Sequence, residues 1–243
     1  MNNYEKLEGM VAATFTPLDE NGDVNLSVID KYADWIASTP IKGVFVCGTT
    51  GEFSSLAIDE RKLILEKWLV SARKRFKVIA HVGSNCQRSA MELARHAAQV
   101  GADAIASIAP SFFKPGTVDE LVDFFAPICH SAAGLPFYYY NMPSITGVNL
   151  PVDKFLVEGK KKIPNLVGTK FTHNNLMEMG VCIELEQHRF EVLHGYDEIL
   201  ISGLAMGAVA GVGSTYNYIP NVYQAIFDSM KMNDLETARH NQI

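Results

Sequence analysis

The sequence is short of three things, and each shortage removes a class of function. It has no uninterrupted apolar run approaching the about 20 residues that cross a bilayer, so no membrane role is expected. It has no excess of positive charge: 21 Lys and Arg stand against 27 Asp and Glu, a formal net charge of -6. That balance offers no electrostatic footprint for nucleic acid. The one basic run, Lys160-Lys161-Lys162, lies between a helical and a strand pattern and reads as a solvated loop. Cysteine is scarce as well. Cys47, Cys86, Cys129 and Cys182 stand far apart with no Cys-x-x-Cys, which predicts free and mostly buried thiols in place of a disulfide framework. The opening Met1-Asn2-Asn3-Tyr4-Glu5-Lys6 lacks the charged-then-apolar profile of a signal peptide, so a cytoplasmic location is expected.

What the chain does have is a regular alternation. With 48% hydrophobic and 20% charged residues over 243 positions, it can bury a large core. Short β-branched or aromatic runs fall at 11–16, 43–47, 77–82, 104–109, 137–140, 166–170, 190–194 and 208–213. Between them the apolar residues recur at helical spacing, as in Ile64, Leu65, Trp68 and Leu69, or Ala90, Leu93, Ala94 and Ala97. Eight βα units with strands apolar on both faces predict one closed (β/α)8 barrel, a TIM barrel, over residues 1–243, in preference to an open doubly wound sheet. Gly101 and Gly207 read as helix C-caps, and Gly22, Gly134 and Gly159 as loop punctuation. Helices are expected at 221–230 and 235–241, with no capping signal at Asn241-Gln242-Ile243.

In such a barrel the chemistry sits at the C-terminal ends of the strands and in the loops after them. Lys170 is the most informative residue there. It ends the apolar run Leu166-Val167-Gly168-Thr169-Lys170, and a buried ammonium is pushed toward the free amine, a nucleophile for a ketone carbon. A lysine snorkelling into water is the plainer alternative. Tyr140 would be its natural partner, although alternation places Tyr138 on the same face and spacing does not choose between the two. Gly48-Thr49-Thr50-Gly51 offers hydroxyls and backbone N–H groups on a flexed turn, suited to a carboxylate or phosphate, or else is an ordinary βα turn. His81, His173 and His194 fall near strand ends but lack paired-ligand spacing, so no metal site is expected.

Taken together, Gly48-Thr49-Thr50-Gly51-Glu52, Tyr140-Asn141-Met142-Pro143 and Gly168-Thr169-Lys170 resemble, in order and spacing, the pyruvate-dependent class I aldolases of the dihydrodipicolinate synthase and N-acetylneuraminate lyase family. The resemblance runs over nearly the whole chain. It implies that Lys170 forms a Schiff base with the substrate keto carbon, that Tyr140 transfers protons, and that Thr49 and Thr50 grip the carboxylate. No metal or organic cofactor is implied, the partners being sialic acid and pyruvate, and the assembly implied is a homotetramer.

Two segments bear on which member it resembles. Synthases of the family usually carry arginine where Ile145 stands, to pair with a second carboxylate, and isoleucine does not do that. Gly195-Tyr196-Asp197-Glu198 and Gly213-Ser214-Thr215 look like the sialate lyase pattern. Gly195, Asp197, Glu198, Ser214 and Thr172 would then line the site of a polyhydroxylated sugar chain. Asp197 also reads as a helix N-cap. The expected reaction is reversible cleavage of N-acetylneuraminate to N-acetylmannosamine and pyruvate. The alternatives are another pyruvate-dependent aldolase, acting on a keto-deoxy sugar acid or like the synthases, and an inactive truncated barrel. Two departures from the family stand out: phenylalanines at 112 and 113 where many relatives have a relay tyrosine, and the family's C-terminal helical extension, which is expected to be largely missing.

Overall fold

A computed structural model describes residues 4–132 and 134–243; Met1, Asn2 and Asn3, part of the amino-terminal segment read above, lie outside the described residues. Eight strands run β1 Gly9–Ala13, β2 Gly43–Val46, β3 Lys77–His81, β4 Ala104–Ile108, β5 Phe137–Asn141, β6 Leu166–Phe171, β7 Glu191–His194 and β8 Ala210–Gly213. Between and after them come α1 Val28–Ala37, α2 Ile58–Ala72, α3 Gln87–Val100, α4 Val118–Ser131, α5 Pro143–Thr146, α6 Val152–Lys162, α7 Leu176–Glu184, α8 Leu200–Ala205, α9 Pro220–Lys231 and α10 Leu235–Gln242. Every strand pairs in parallel with the next, and β8 closes on β1 with Gly9 opposite Ala210 and Ala12 opposite Gly213. The result is the (β/α)8 barrel that the alternation predicts. Among the described residues no helix is long and apolar enough to cross a membrane.

Period-two alternation sorts the strand residues into two cores. Val11, Phe45, Ile79, Ala106, Tyr138 and Leu193 fill the barrel interior. Met10, Val44, Val78, Ile105, Phe137 and Val192 face outward into the layer shared with the helices. On the helices the inward stripes match: Ile29, Ala33 and Ile36 of α1, or Ala90, Leu93, Ala94 and Ala97 of α3, are buried. α4 starts at Thr117, whose Oγ1 accepts from Glu120 N at 3.2 Å, and α3 stops at Gly101 in the left-handed region, φ 84°.

The floor of the barrel is polar and closed. Leu7 N donates to Glu191 Oε1 at 2.6 Å, Tyr138 OH donates to Glu191 Oε2, and Tyr4 OH shares a hydrogen bond with Tyr138 OH. Burial raises the Glu191 carboxyl above its ordinary value, the tyrosine and backbone donors opposing the shift. At the seam between β8 and β1, Asn217 Nδ2 donates to the carbonyls of Ala13 and Ser214, both at 2.7 Å. Tyr32 OH donates to Asn217 Oδ1 at 2.6 Å, which ties the seam to α1.

Several local expectations differ from the structure. The first strand lies at Gly9–Ala13, not 11–16: Thr14 N still donates to Phe45 O at 3.3 Å, but the chain then turns away, and Thr16 Oγ1 donates to Gly51 O at 2.7 Å. Lys160, Lys161 and Lys162 form the last turn of α6, where cations complement the helix C-terminus, so the run is solvated but not a loop. Gly159 is likewise inside α6. A Cβ there would lie 3.0 Å from Leu166 Cδ2, so the glycine serves close helix–strand packing.

Candidate active site

Lys170 sits one residue before the end of β6 and points into the barrel, 4% exposed. Its register partner on β5 is Tyr140. The Lys170 Nζ lies 4.1 Å from the Tyr140 ring centroid and 4.4 Å from that of Phe45. Tyr138, the alternative suggested by alternation, lies one layer lower and is committed to Glu191. Parallel register thus resolves what spacing leaves open.

The three residues before and at the lysine have separate tasks. A Cβ on Gly168 would fall 1.9 Å from Glu191 O, so β6 and β7 approach this closely only with glycine there. Thr169 points outward and donates from Oγ1 to Tyr139 O at 2.7 Å, pinning β6 to β5. Lys170 is then held inward by alternation.

The Gly48-Thr49-Thr50-Gly51 segment is a strained turn after β2. Cys47 and Glu52 take positive φ, 54° and 57°, and a Cβ on Gly48 would meet the Phe45 ring at 2.8 Å. Glu52 N donates to Thr49 O at 3.0 Å, which folds the turn over the mouth. Thr49 and Thr50 are half-buried there. Thr49 Oγ1 and Tyr140 OH share a hydrogen bond at 3.2 Å, and Tyr140 OH reaches Met142 Sδ at 3.1 Å, so the predicted carboxylate cradle and the predicted proton carrier are in direct contact.

The structure places the remaining candidates around the same opening. Thr172 is 3% exposed, its backbone N donates to Asn141 O at 2.9 Å, and its Oγ1 has no hydrogen-bond partner among the described residues. Gly195 lies opposite: a Cβ there would stand 1.9 Å from Thr172 Oγ1. Asp197 is buried and its carboxylate does not cap its own helical turn. Oδ2 instead accepts from Thr215 N at 2.8 Å and from Thr215 Oγ1, joining the end of β7 to the end of β8. Glu198 is exposed beside it, with its carboxyl raised by partial desolvation and by the neighbouring Asp197 charge. Ser214 is half-buried after β8.

One contributor to the mouth is not among the site residues expected from the sequence. His81 faces the barrel interior, and its Nδ1 donates to Cys47 O at 2.8 Å, bracing the threonine turn from β3. Burial, aided by the Arg61 charge, holds His81 well below the ordinary imidazole value. Arg61 is itself buried; Nη1 donates to Gly83 O at 2.9 Å and Nη2 to His81 O at 2.7 Å. The signal in the sequence is the alternation of Ile79 and His81, which gives the histidine an inward direction. His194 points the other way, its ring against Gly203 of α8, so the two do not converge. Among the described residues no three His, Cys, Asp or Glu side chains gather as a metal site.

The residues around Lys170 now form one mouth: an amine, a phenol, a threonine turn and a carboxylate-bearing rim. The dihydrodipicolinate synthetase family model matches residues 6–243. The chain belongs to that family. Among the family's curated members, N-acetylneuraminate lyase of Mus musculus is 43% identical over 237 residues, covering 96% of this chain and 74% of that one. Of solved structures in the family, the Proteus mirabilis N-acetylneuraminate lyase superposes with a TM-score of 0.96 at 36% identity, covering 98% of this chain and 80% of that chain. A catalytic lysine mutant of the Ruminococcus gnavus sialic acid aldolase superposes with a TM-score of 0.94 at 28% identity, covering 100% of this chain and 78% of that one.

Proposed function

We propose that the chain is a Schiff-base aldolase, a carbon–carbon lyase that splits N-acetylneuraminate reversibly into N-acetylmannosamine and pyruvate. The observation that carries this reading is the contact of Lys170 with Tyr140, and of Tyr140 with Thr49, inside one barrel mouth. Similarity to family members named N-acetylneuraminate lyase over nearly the whole chain supports the substrate. The Ruminococcus gnavus relative's catalytic lysine supports the nucleophile.

The chemistry follows from the groups present. The Lys170 amine adds to the C2 keto carbon and water leaves, giving an iminium. Tyr140 takes the proton of the C4 hydroxyl, the C3–C4 bond breaks, and its electron pair enters the iminium to form an enamine while C4 becomes the aldehyde of N-acetylmannosamine. Protonation of the enamine at C3 and hydrolysis then release pyruvate and restore the lysine. Thr49 and Thr50 would bind the carboxylate, with Thr49 also orienting the Tyr140 hydroxyl. Thr172, Gly195, Asp197, Glu198 and Ser214 would receive the polyhydroxylated tail, carboxylates accepting from sugar hydroxyls. No step needs a metal or organic cofactor.

Ile145, 59% exposed on α5, presents no cation to a second carboxylate substrate, which supports the lyase over the synthase reaction. A homotetramer in the cytoplasm belongs to the same reading. Phe112 and Phe113, 77% and 86% exposed on the loop after β4, support a subunit contact there. Borohydride reduction in the presence of pyruvate tests the reading: it should add the mass of the reduced adduct at Lys170 alone. Turnover of N-acetylneuraminate with Lys170 left unmodified would overturn it.

A further inference from the structure

We infer that Gln242, on the last turn of α10, is a positioning residue for the Asp197-Glu198 corner of the active site. The inference rests on the proposed function above, in which that corner meets the sugar tail. α10 packs on α9 and α8, anchored by buried Ala238 and started by Asp234, whose side chain accepts from Thr237 N. From its far end one side-chain amide reaches the corner. Gln242 Oε1 accepts from Ile201 N at 2.9 Å, and Gln242 Nε2 donates to Asp197 O at 3.1 Å.

Those two backbone groups frame the corner. Ile201 N lies in the first turn of α8, where amides have no acceptor within the helix. Asp197 O opens the helical turn Asp197–Ile199 and accepts from Leu200 N as well. A primary amide is the neutral group that accepts from the first and donates to the second at once. With Thr215, just after β8, holding the Asp197 carboxylate, the corner is fixed from two independent segments, and Glu198 beside Asp197 is left exposed. α10 is remote from Lys170 and Tyr140, so its effect falls on the sugar end of the site and not on imine formation. A preorganised corner loses less freedom when the sugar binds.

Two variants and two readouts test this. Gln242→Ala removes the bonds and the side-chain volume; Gln242→Met keeps the volume and removes only the bonds. We expect both to raise KM for N-acetylneuraminate about tenfold, the scale of lost paired hydrogen bonds, with a smaller change in kcat. The borohydride-trapped pyruvate adduct at Lys170 should form in both as in the parent chain. Restoration of the parent KM by Gln242→Met would overturn the inference and leave α10 a packing element. Parallel loss of adduct and turnover would overturn it too, since that is general damage to the barrel. Absence of the adduct in the parent chain would sink the proposed function itself, and this inference with it.

Discussion

Lys170 and Tyr140 are register partners on adjacent parallel strands, with the lysine Nζ 4.1 Å from the tyrosine ring centroid and the tyrosine hydroxyl turned toward Thr49. The ring and the hydroxyl therefore have separable tasks. One face packs on the amine, and the polar end bonds to Thr49 and Met142.

Tyr140→Phe keeps the ring and removes the hydroxyl. Steady-state kinetics should show kcat lower by about 100-fold or more, the scale of a lost general base, with little change in thermal unfolding. A variant retaining parent kcat would remove Tyr140 from the proton transfer.

Thr172→Val removes a buried hydroxyl that has no partner among the described residues. Leaving such a group unpaired costs about 1 kcal/mol or more, so the variant should be more stable by about that amount in chemical denaturation. Its kcat/KM for N-acetylneuraminate should fall about tenfold if the hydroxyl is kept for substrate. Higher stability with unchanged kcat/KM would take Thr172 out of the site.

Gly168→Ala forces a methyl to within 1.9 Å of the Glu191 carbonyl oxygen, a backbone atom of the neighbouring strand. The ladder must open between β6 and β7, costing about 3 kcal/mol or more, and Lys170 moves with it. Urea unfolding should record the loss and borohydride trapping a slower adduct; a normal unfolding midpoint would contradict the close approach.

His194→Phe should flatten the acid side of the stability profile. The His194 ring is buried with neither nitrogen hydrogen-bonded among the described residues, and burial holds it below its ordinary value of 6.5; nearby backbone groups of Tyr196 and Ile199 and the Asp197 charge oppose that shift without reversing it. The unfolded chain thus binds this proton at a higher pH than the folded one. Its contribution to stability is complete above 6.5 and is lost as pH falls through the lower folded value. Denaturation midpoints at two pH values on either side of 6.5 should differ less for His194→Phe than for the parent. His81 shifts in the same direction and adds to the slope that remains.

Much of this molecule is legible along the chain because its regularities are local. Alternation at period two, helical spacing between the strands and the eight repeats of that unit dictate the barrel, and a lone lysine closing an apolar run marks the mouth. Element ends were the less legible part. Phe15 and Thr16 carry strand-like side chains yet lie past the end of β1, where Thr16 bonds to Gly51 across the mouth.

Tertiary structure decided what depends on two distant stretches meeting. Spacing puts Tyr138 and Tyr140 on one face; only the partner strands assign Glu191 to the first and Lys170 to the second. The local pattern marks Asp197 as a cap, whereas folding brings Thr215 to its carboxylate and Gln242 to its carbonyl. His81 becomes a brace for the threonine turn because Cys47 O comes within reach across the sheet. Periodicity is written in neighbours two to four residues apart and survives in any chain that obeys it. A hydrogen bond between residues 45 positions apart depends on the whole packing between them, which no short window of sequence contains.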